Sequence, residues 1–337
     1  MEVLRKITQG TPTKVPPRQG AHPDPLDADR PPPTLSDWQR QHLAGAAMEA
    51  FVTGMGNGGL DVRATILREL SEYWGRDPDE TLDRCLNWED YSVREWQRQD
   101  RTTADGVLDF YQQCESWTYD LLWYDYLRTC EYAIPHAVVI AEWLRTRRRP
   151  GSHLDFGAGT GSASIMFHHL GWRSTIGDVS MPLLDFARWR VDRRGLPIDS
   201  LDLRQPLPDA AFDVVTAIDT FAHVPDVFPV ASSLHAAMRP DGYLFANFDV
   251  RPPSEYNAWH LYSDDLGLHW DIRRAGFRHV GAIPEIGMHI FRRTPSSSVS
   301  HRARLGMDSL RYGPPSKAYW QTRHATGSLV RRALWHR

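Results

Sequence analysis

Lysine is almost missing from this chain. Only Lys6, Lys14 and Lys317 stand among 39 basic residues, and the rest are arginine. Arginine codons are mostly GC-rich and lysine codons AT-rich. The imbalance therefore points to a GC-rich, bacterial genome and not to an arginine-based function. Cysteine is scarce too: Cys85, Cys114 and Cys130 form no C-x-x-C pair and are odd in number. That argues against a disulfide framework or a cysteine zinc site and fits a reducing compartment. No apolar run approaches the roughly 20 residues that span a bilayer. Met1 to Lys14 lacks the apolar centre of a secretion signal. The expectation is a cytoplasmic protein without a transmembrane segment or a metal site. Net charge is only −3, but residues 295–337 hold eight basic residues against Asp308 alone.

What is present divides the 337 residues into four stretches. Residues 1–35 carry eight prolines and little apolar pattern, and read as a disordered arm. Residues 36–149 read as mostly helical. Ser36 caps a helix through Trp38, Leu43, Met48 and Phe51, ended by Gly54 to Gly59. Further helices fit Val62–Trp74, Glu80–Trp88 after the Asp77-Pro78 start, Val93–Gln99, Ala104–Tyr132 and Pro135–Arg145. From about 150 to 294 the texture alternates. Strands fit His153–Phe156, Ser174–Asp178, Ile198–Asp202, Phe212–Ile218, Gly242–Asp249, Arg278–Ile283 and Gly287–Arg292. Helices fit Ser162–Leu170, Met181–Arg194, Val227–Met238 and Asp265–Ala275. Repeated β-α-β units imply a parallel sheet covered on both faces, and the last two strands are close enough to pair antiparallel. Residues 295–337 read as a basic, partly disordered tail with one terminal helix pattern at Ser328–His336.

Residues 154–164 carry the strongest signal. An apolar run ends in Asp155, and Gly157, Gly159 and Gly161 follow at alternate positions before a helix. Glycine tolerates positive φ and lets a ligand approach the backbone closely; the helix start presents unpaired N–H groups. A dinucleotide fingerprint runs G-x-G-x-x-G, and Ser162 stands where that pattern needs glycine or alanine. The observed pattern is D-x-G-x-G-x-G. It resembles the first motif of the class I S-adenosylmethionine-dependent methyltransferases. Asp202, Leu207-Pro208 and Phe212-Asp213-Val214-Val215 resemble a later stretch of that family. Met238-Arg239-Pro240-Asp241-Gly242-Tyr243-Leu244 resembles its L-x-P-G-G-x-L turn, with Asp241 replacing a glycine.

The resemblance covers about 152–293. It implies a Rossmann-like, doubly wound sheet of seven strands ordered 3-2-1-4-5-7-6, the last antiparallel, with 36–149 as an α-helical cap. It implies S-adenosylmethionine as cofactor. Asp155, Gly157, Ala158, Gly159 and Gly161 would form its turn. Asp178, 17 residues past Gly161, would take the ribose hydroxyls, or cap the following helix, two compatible roles. Val179 would pack on the adenine. Asp202 would meet the adenine amino group and Leu203 line the ring, within the interval Leu201 to Leu203. Asp219 closes the fourth strand at the same rim.

Methyl transfer from a sulfonium is an in-line displacement that needs a dry, aligned pocket. A hydroxyl acceptor also needs a base. His223 follows the fourth strand at the carboxyl edge and is the expected base, or else packs the next helix. His260 and His269 are weaker alternatives. The segment 110–132 is dense in aromatics, with Tyr119, Trp123 and Tyr126 on one helical face. It is either a lid whose Tyr119, Trp123 and Tyr124 reach substrate, or a face packed on the sheet. The expected acceptor is a small molecule, at an oxygen of a sugar or specialised metabolite. The motifs of nucleic-acid base methylation are absent. An RNA or protein acceptor gripped by the basic tail, or a non-catalytic cofactor-binding relative, are the alternatives.

Overall fold

Three of the cap helices begin where short polar side chains take their first backbone N–H groups. In a computed structural model, residues 22–26, 34, 36–59, 61–98, 104–250, 261–262, 264–294 and 299–313 are described. Ser36 and Gln39 form a capping box for α1 (Asp37–Leu43). Asp61 caps α3 (Val62–Trp74), and Asp77 with Pro78 starts α4 (Pro78–Leu86). The remaining cap helices are α2 (Ala46–Gly56), α5 (Trp88–Gln97), α6 (Ala104–Gln113), α7 (Ser116–Thr129) and α8 (His136–Arg145).

Two helices expected to be continuous are split, each by a distant carboxylate. Glu142 of α8 accepts from the Ala47 amide at 3.1 Å, which fixes a new helix start after Gly45. Glu95 of α5 accepts from the Ser116 amide at 3.2 Å and its hydroxyl at 2.7 Å, which separates α6 from α7.

The sheet's first four strands stop at, or within two residues of, Gly or Asp. Its strands are β1 (Ser152–Phe156), β2 (Arg173–Asp178), β3 (Asp199–Asp202), β4 (Phe212–Ala217), β5 (Met238–Asn247), β6 (Phe277–Ile283) and β7 (Met288–Arg293). Their order is β3-β2-β1-β4-β5-β7-β6. β7 runs antiparallel between β5 and β6, and the other pairs are parallel. Helices α9 (Ser162–His169), α10 (Met181–Arg193), α11 (Val227–Ala237) and α12 (Leu266–Arg274) connect them. This is the expected Rossmann-like topology. All five residues of β1 are buried, as a central strand covered on both faces requires. There His153 stacks on Phe167 at 3.9 Å and bonds the hydroxyls of Ser174 and Thr216. Burial holds its pKa down at about 3, so it is a neutral packing group.

The helical cap and the sheet share one apolar core. Met48, Phe51 and Met55 of α2 cluster with Met166 and Phe167 of α9 and with Val214 and Phe245 of the sheet. Two expectations at the chain ends change. Part of the arm read as structureless is ordered: Asp24 pairs with Arg63 at 2.7 Å, and the Pro23 carbonyl accepts from Trp123 Nε1 at 3.1 Å. A helix α13 (Val299–Tyr312) follows the sheet where no helix was read. The Ser328–His336 pattern lies outside the described residues. No helix among the described residues is long and apolar enough to cross a membrane.

Candidate functional site

The parallel strands leave a crevice at their carboxyl ends. Here it is a cavity of about 880 Å³, within the usual range for small-molecule sites. Its floor is the glycine turn. Gly157, Gly159 and Gly161 all have positive φ, at 76°, 56° and 76°. A Cβ on Gly157 would run into Thr220, and one on Gly159 would lie 2.8 Å from Leu121 of α7. The amides of Gly157 and Ala158 both donate to the Gly177 carbonyl, at 2.8 and 2.9 Å, which pins the turn over β2. Gly161 does not line the cavity; it is the N-cap of α9 and packs on Ile176 and Ala187.

Two buried carboxylates bracket the turn. Asp155 accepts from Thr216 Oγ1 at 2.9 Å and Ser164 Oγ at 3.2 Å. Asp178 accepts from the amides of Gly159 and Ser180, both at 2.8 Å. It thus holds the turn and the amide of Ser180, the N-cap of α10, but α10 has no side-chain cap, so the expected capping role is not met. Burial pushes both carboxyls up to about 6, against the hydrogen bonds that favour ionisation. At the end of β4, Asp219 has φ 53°, a strained value for a non-glycine residue. Its amide donates to Asn247 Oδ1 at 2.7 Å, and Asn247 Nδ2 donates back to its carboxylate.

The opposite wall is one face of α7: Trp117, Asp120, Leu121, Tyr124, Asp125 and Arg128. The other face is core. Tyr119 and Trp123 are fully buried, and Tyr119 Oη accepts from Arg76 at 2.9 Å. Neither lines the cavity, so their expected substrate role is corrected; Tyr124 does line it. Val179 and His223 are also in the wall. His223 ends a 3-10 turn (Phe221–His223) and faces Trp117 and Tyr111 at ring distances of 6.3 and 6.4 Å. Asp202 and Leu203 do not reach the wall. Arg204 clamps both Asp202 oxygens, at 2.8 and 2.7 Å, and the Leu203 side chain packs beneath Gly177. His269 is buried elsewhere, beside β7. His260 lies outside the described residues.

The wall residues not expected as site residues include His22, His136 and Ser180. His22, from the arm, bonds Asp120 at 2.7 Å and stacks between Trp88 and Tyr124. His136 opens α8 and is held below its usual pKa, chiefly by burial. Ser180 follows Asp178. Ser180 Oγ and His136 Nδ1 are buried without a protein partner. Seven acidic side chains line the cavity against one guanidinium, Arg128. This donor set fits S-adenosylmethionine: a cationic ligand would face an acidic wall, a nucleoside would find a carboxylate in Asp178, and two buried polar atoms would be free to bond it.

A family model described as "Methyltransferase domain" matches residues 154–246. The chain carries a class I S-adenosylmethionine-dependent methyltransferase domain. The matched span runs from the glycine turn to the end of β5, so it contains Asp155, Asp178 and Asp219. A ubiquinone biosynthesis O-methyltransferase of Xanthomonas campestris pv. campestris is 30% identical over 115 residues, 32% of this chain and 47% of that protein. One from Bordetella pertussis is 31% identical over 110 residues, 31% of this chain and 44% of that protein. The methyltransferase region thus spans about half the length of the relatives it matches. A solved Burkholderia thailandensis 1,6-didemethyltoxoflavin N1-methyltransferase, with that compound and S-adenosylhomocysteine bound, is 25% identical. It covers 48% of this chain and 78% of its own, at a TM-score of 0.38.

Proposed function

We propose that this chain methylates a hydroxyl oxygen of a small, flat specialised metabolite. The carrying observation is one cavity with two unlike walls. An acid-flanked glycine turn faces an aromatic wall built from Trp88, Tyr111, Trp117 and Tyr124. Aromatic walls suit planar acceptors through stacking. The O-methyltransferase relatives support oxygen as the acceptor atom.

Bound S-adenosylmethionine supplies an electrophilic methyl group on a sulfonium. The chain's own residues bind, align and accept a proton. Asp178 takes the ribose hydroxyls. The helical cap covers the turn and excludes water through Leu121, which sits against Gly159. His223 is the proposed base, because it follows β4 beside Thr220, whose side chain abuts Gly157. His22 orients the far end of the acceptor. Trp117 beside His223 and Tyr124 beside His22 are two turns apart on α7, about 10 Å.

Labelled S-adenosylmethionine and a panel of hydroxylated aromatic metabolites test this, with products read by mass spectrometry for one added CH2. His223→Gln should lower kcat by roughly 10²- to 10⁴-fold while leaving the affinity for S-adenosylhomocysteine unchanged. Failure of the wild-type chain to bind S-adenosylhomocysteine would sink the enzyme reading. An undiminished kcat in His223→Gln would move the base to His22.

A further inference from the structure

We propose that Asp265, His269 and His289 form a binding site for a divalent transition-metal ion of the zinc type, independent of the methyl-transfer cavity. Asp265 is the N-cap of α12 and His269 lies one turn along it, so both side chains share a face. Their facing atoms, Asp265 Oδ2 and His269 Nε2, are 3.6 Å apart. His289 arrives from β7, where it pairs with Ala246 of β5 and Ala282 of β6. One ligand atom from each of the three lies within 4.8 Å of the others. Zinc bonds of this kind are about 2.0–2.2 Å long, which places tetrahedral ligand atoms roughly 3.3 Å apart. Small side-chain rotations close the difference.

One further observation points to a ligand. His289 Nδ1 is hydrogen-bonded to His279 Nε2 at 3.3 Å, which holds the ring and leaves Nε2 for an ion. Histidine ligands typically have their second nitrogen engaged in this way. His269 is 4% exposed and presents Nε2 to Asp265 from within the core. A neighbouring cation, Arg273, stacks on Tyr312 at 4.4 Å and faces Asp308 at 3.4 Å, so its charge is partly matched.

The donor set selects the ion. Two imidazoles and one carboxylate suit zinc and its neighbours better than magnesium or calcium, which favour oxygen. Asp265 is 45% exposed, so water can complete the coordination from outside. Phe248 separates the cluster from the cavity it lines, with ring distances of 4.8 Å to His269 and 5.3 Å to His289. The ion would therefore clamp α12 to the antiparallel end of the sheet and take no part in methyl transfer.

Cobalt(II) titrated into the full chain tests the proposal through its ligand-field absorbance, with thermal melting in equimolar zinc as a second readout. One saturable equivalent and a raised Tm are expected, since an ion that binds only the folded state stabilises it. His289→Ala should weaken binding by more than about 100-fold, and His279→Phe by roughly 10- to 100-fold. Asp265→Asn alters a half-exposed ligand and keeps the core intact; it should weaken binding with unchanged circular dichroism. His168→Ala, on α9, should change nothing. No saturable equivalent in the wild-type chain, or wild-type affinity in both His289→Ala and Asp265→Asn, overturns the site.

Discussion

At the scale of single residues, Asp178 decides the most. Its carboxylate holds Gly159 and Ser180 by their amides and lines the cavity. A buried carboxyl raised to about 6 is protonated below that pH. The folded state then binds a proton that the unfolded chain, at about 3.9, has already lost. Stability from this group is therefore greatest at low pH and is lost as pH rises through about 6. On the ribose role proposed for Asp178, cofactor binding runs the other way, because only a carboxylate accepts two ribose hydroxyls. The affinity for S-adenosylhomocysteine should fall as pH drops from 7.5 to 5, with a midpoint near 6. In Asp178→Asn it should already be weak at pH 7.5, by about 1.5–3 kcal/mol, and nearly flat with pH. Calorimetric titration of both proteins checks this, and parallel pH curves would remove Asp178 from the binding step.

Helix α7 shows what the element scale adds. Its aromatic density was legible in the sequence, and so was the choice between lid and core. The helix is both. Tyr119 and Trp123 face the core, while Trp117, Leu121 and Tyr124 face the cavity. Tyr124→Ala should raise the acceptor KM by roughly 2- to 10-fold, the loss of one stacking partner, without changing the melting temperature much. Tyr119→Phe should do the reverse. It removes the acceptor for Arg76 and costs about 1–2 kcal/mol, read by chemical denaturation, with KM unchanged. Strands β1 to β4 were readable because each ends at or within two residues of Gly or Asp, a purely local pattern. The glycine turn, Asp155 and Asp178 were readable because one contiguous motif carries them. The breaks before Ala46 and Ser116 were not, since Glu142 and Glu95 that cause them lie far along the chain. His22 was hidden because a proline-rich arm gives no periodic signal. Asp202 looked right by position, and only the neighbouring Arg204 shows its carboxylate to be engaged.

Across the whole molecule, the question is what makes cap and sheet one body. Apolar packing between α2 and α9 is general and would tolerate sliding. Glu69 of α3 is specific. It is 2% exposed and pairs with Arg190 at 3.0 Å and Arg194 at 2.6 Å, two guanidiniums carried by and just after α10. Burial and the adjacent Arg190 bring Arg194 down to about 10. Arg190 also donates to the Thr160 carbonyl at 2.7 Å and to Ser162 Oγ at 3.2 Å, so the same ion triad braces the glycine turn. Replacing one member of a buried pair strands the other charge, which costs about 3–5 kcal/mol. Glu69→Gln should therefore lower Tm by roughly 6–20 °C, at 2–4 °C per kcal/mol for large domains. It should also weaken S-adenosylhomocysteine binding, although Glu69 does not line the cavity. The Arg193–Glu72 pair joins the same two helices at 2.6 Å, but with side chains 42% and 39% exposed. Solvent screening leaves such pairs less than about 1 kcal/mol, so Glu72→Gln should barely move Tm. Equal losses in the two variants would mean that net charge, not the buried triad, joins the cap to the sheet.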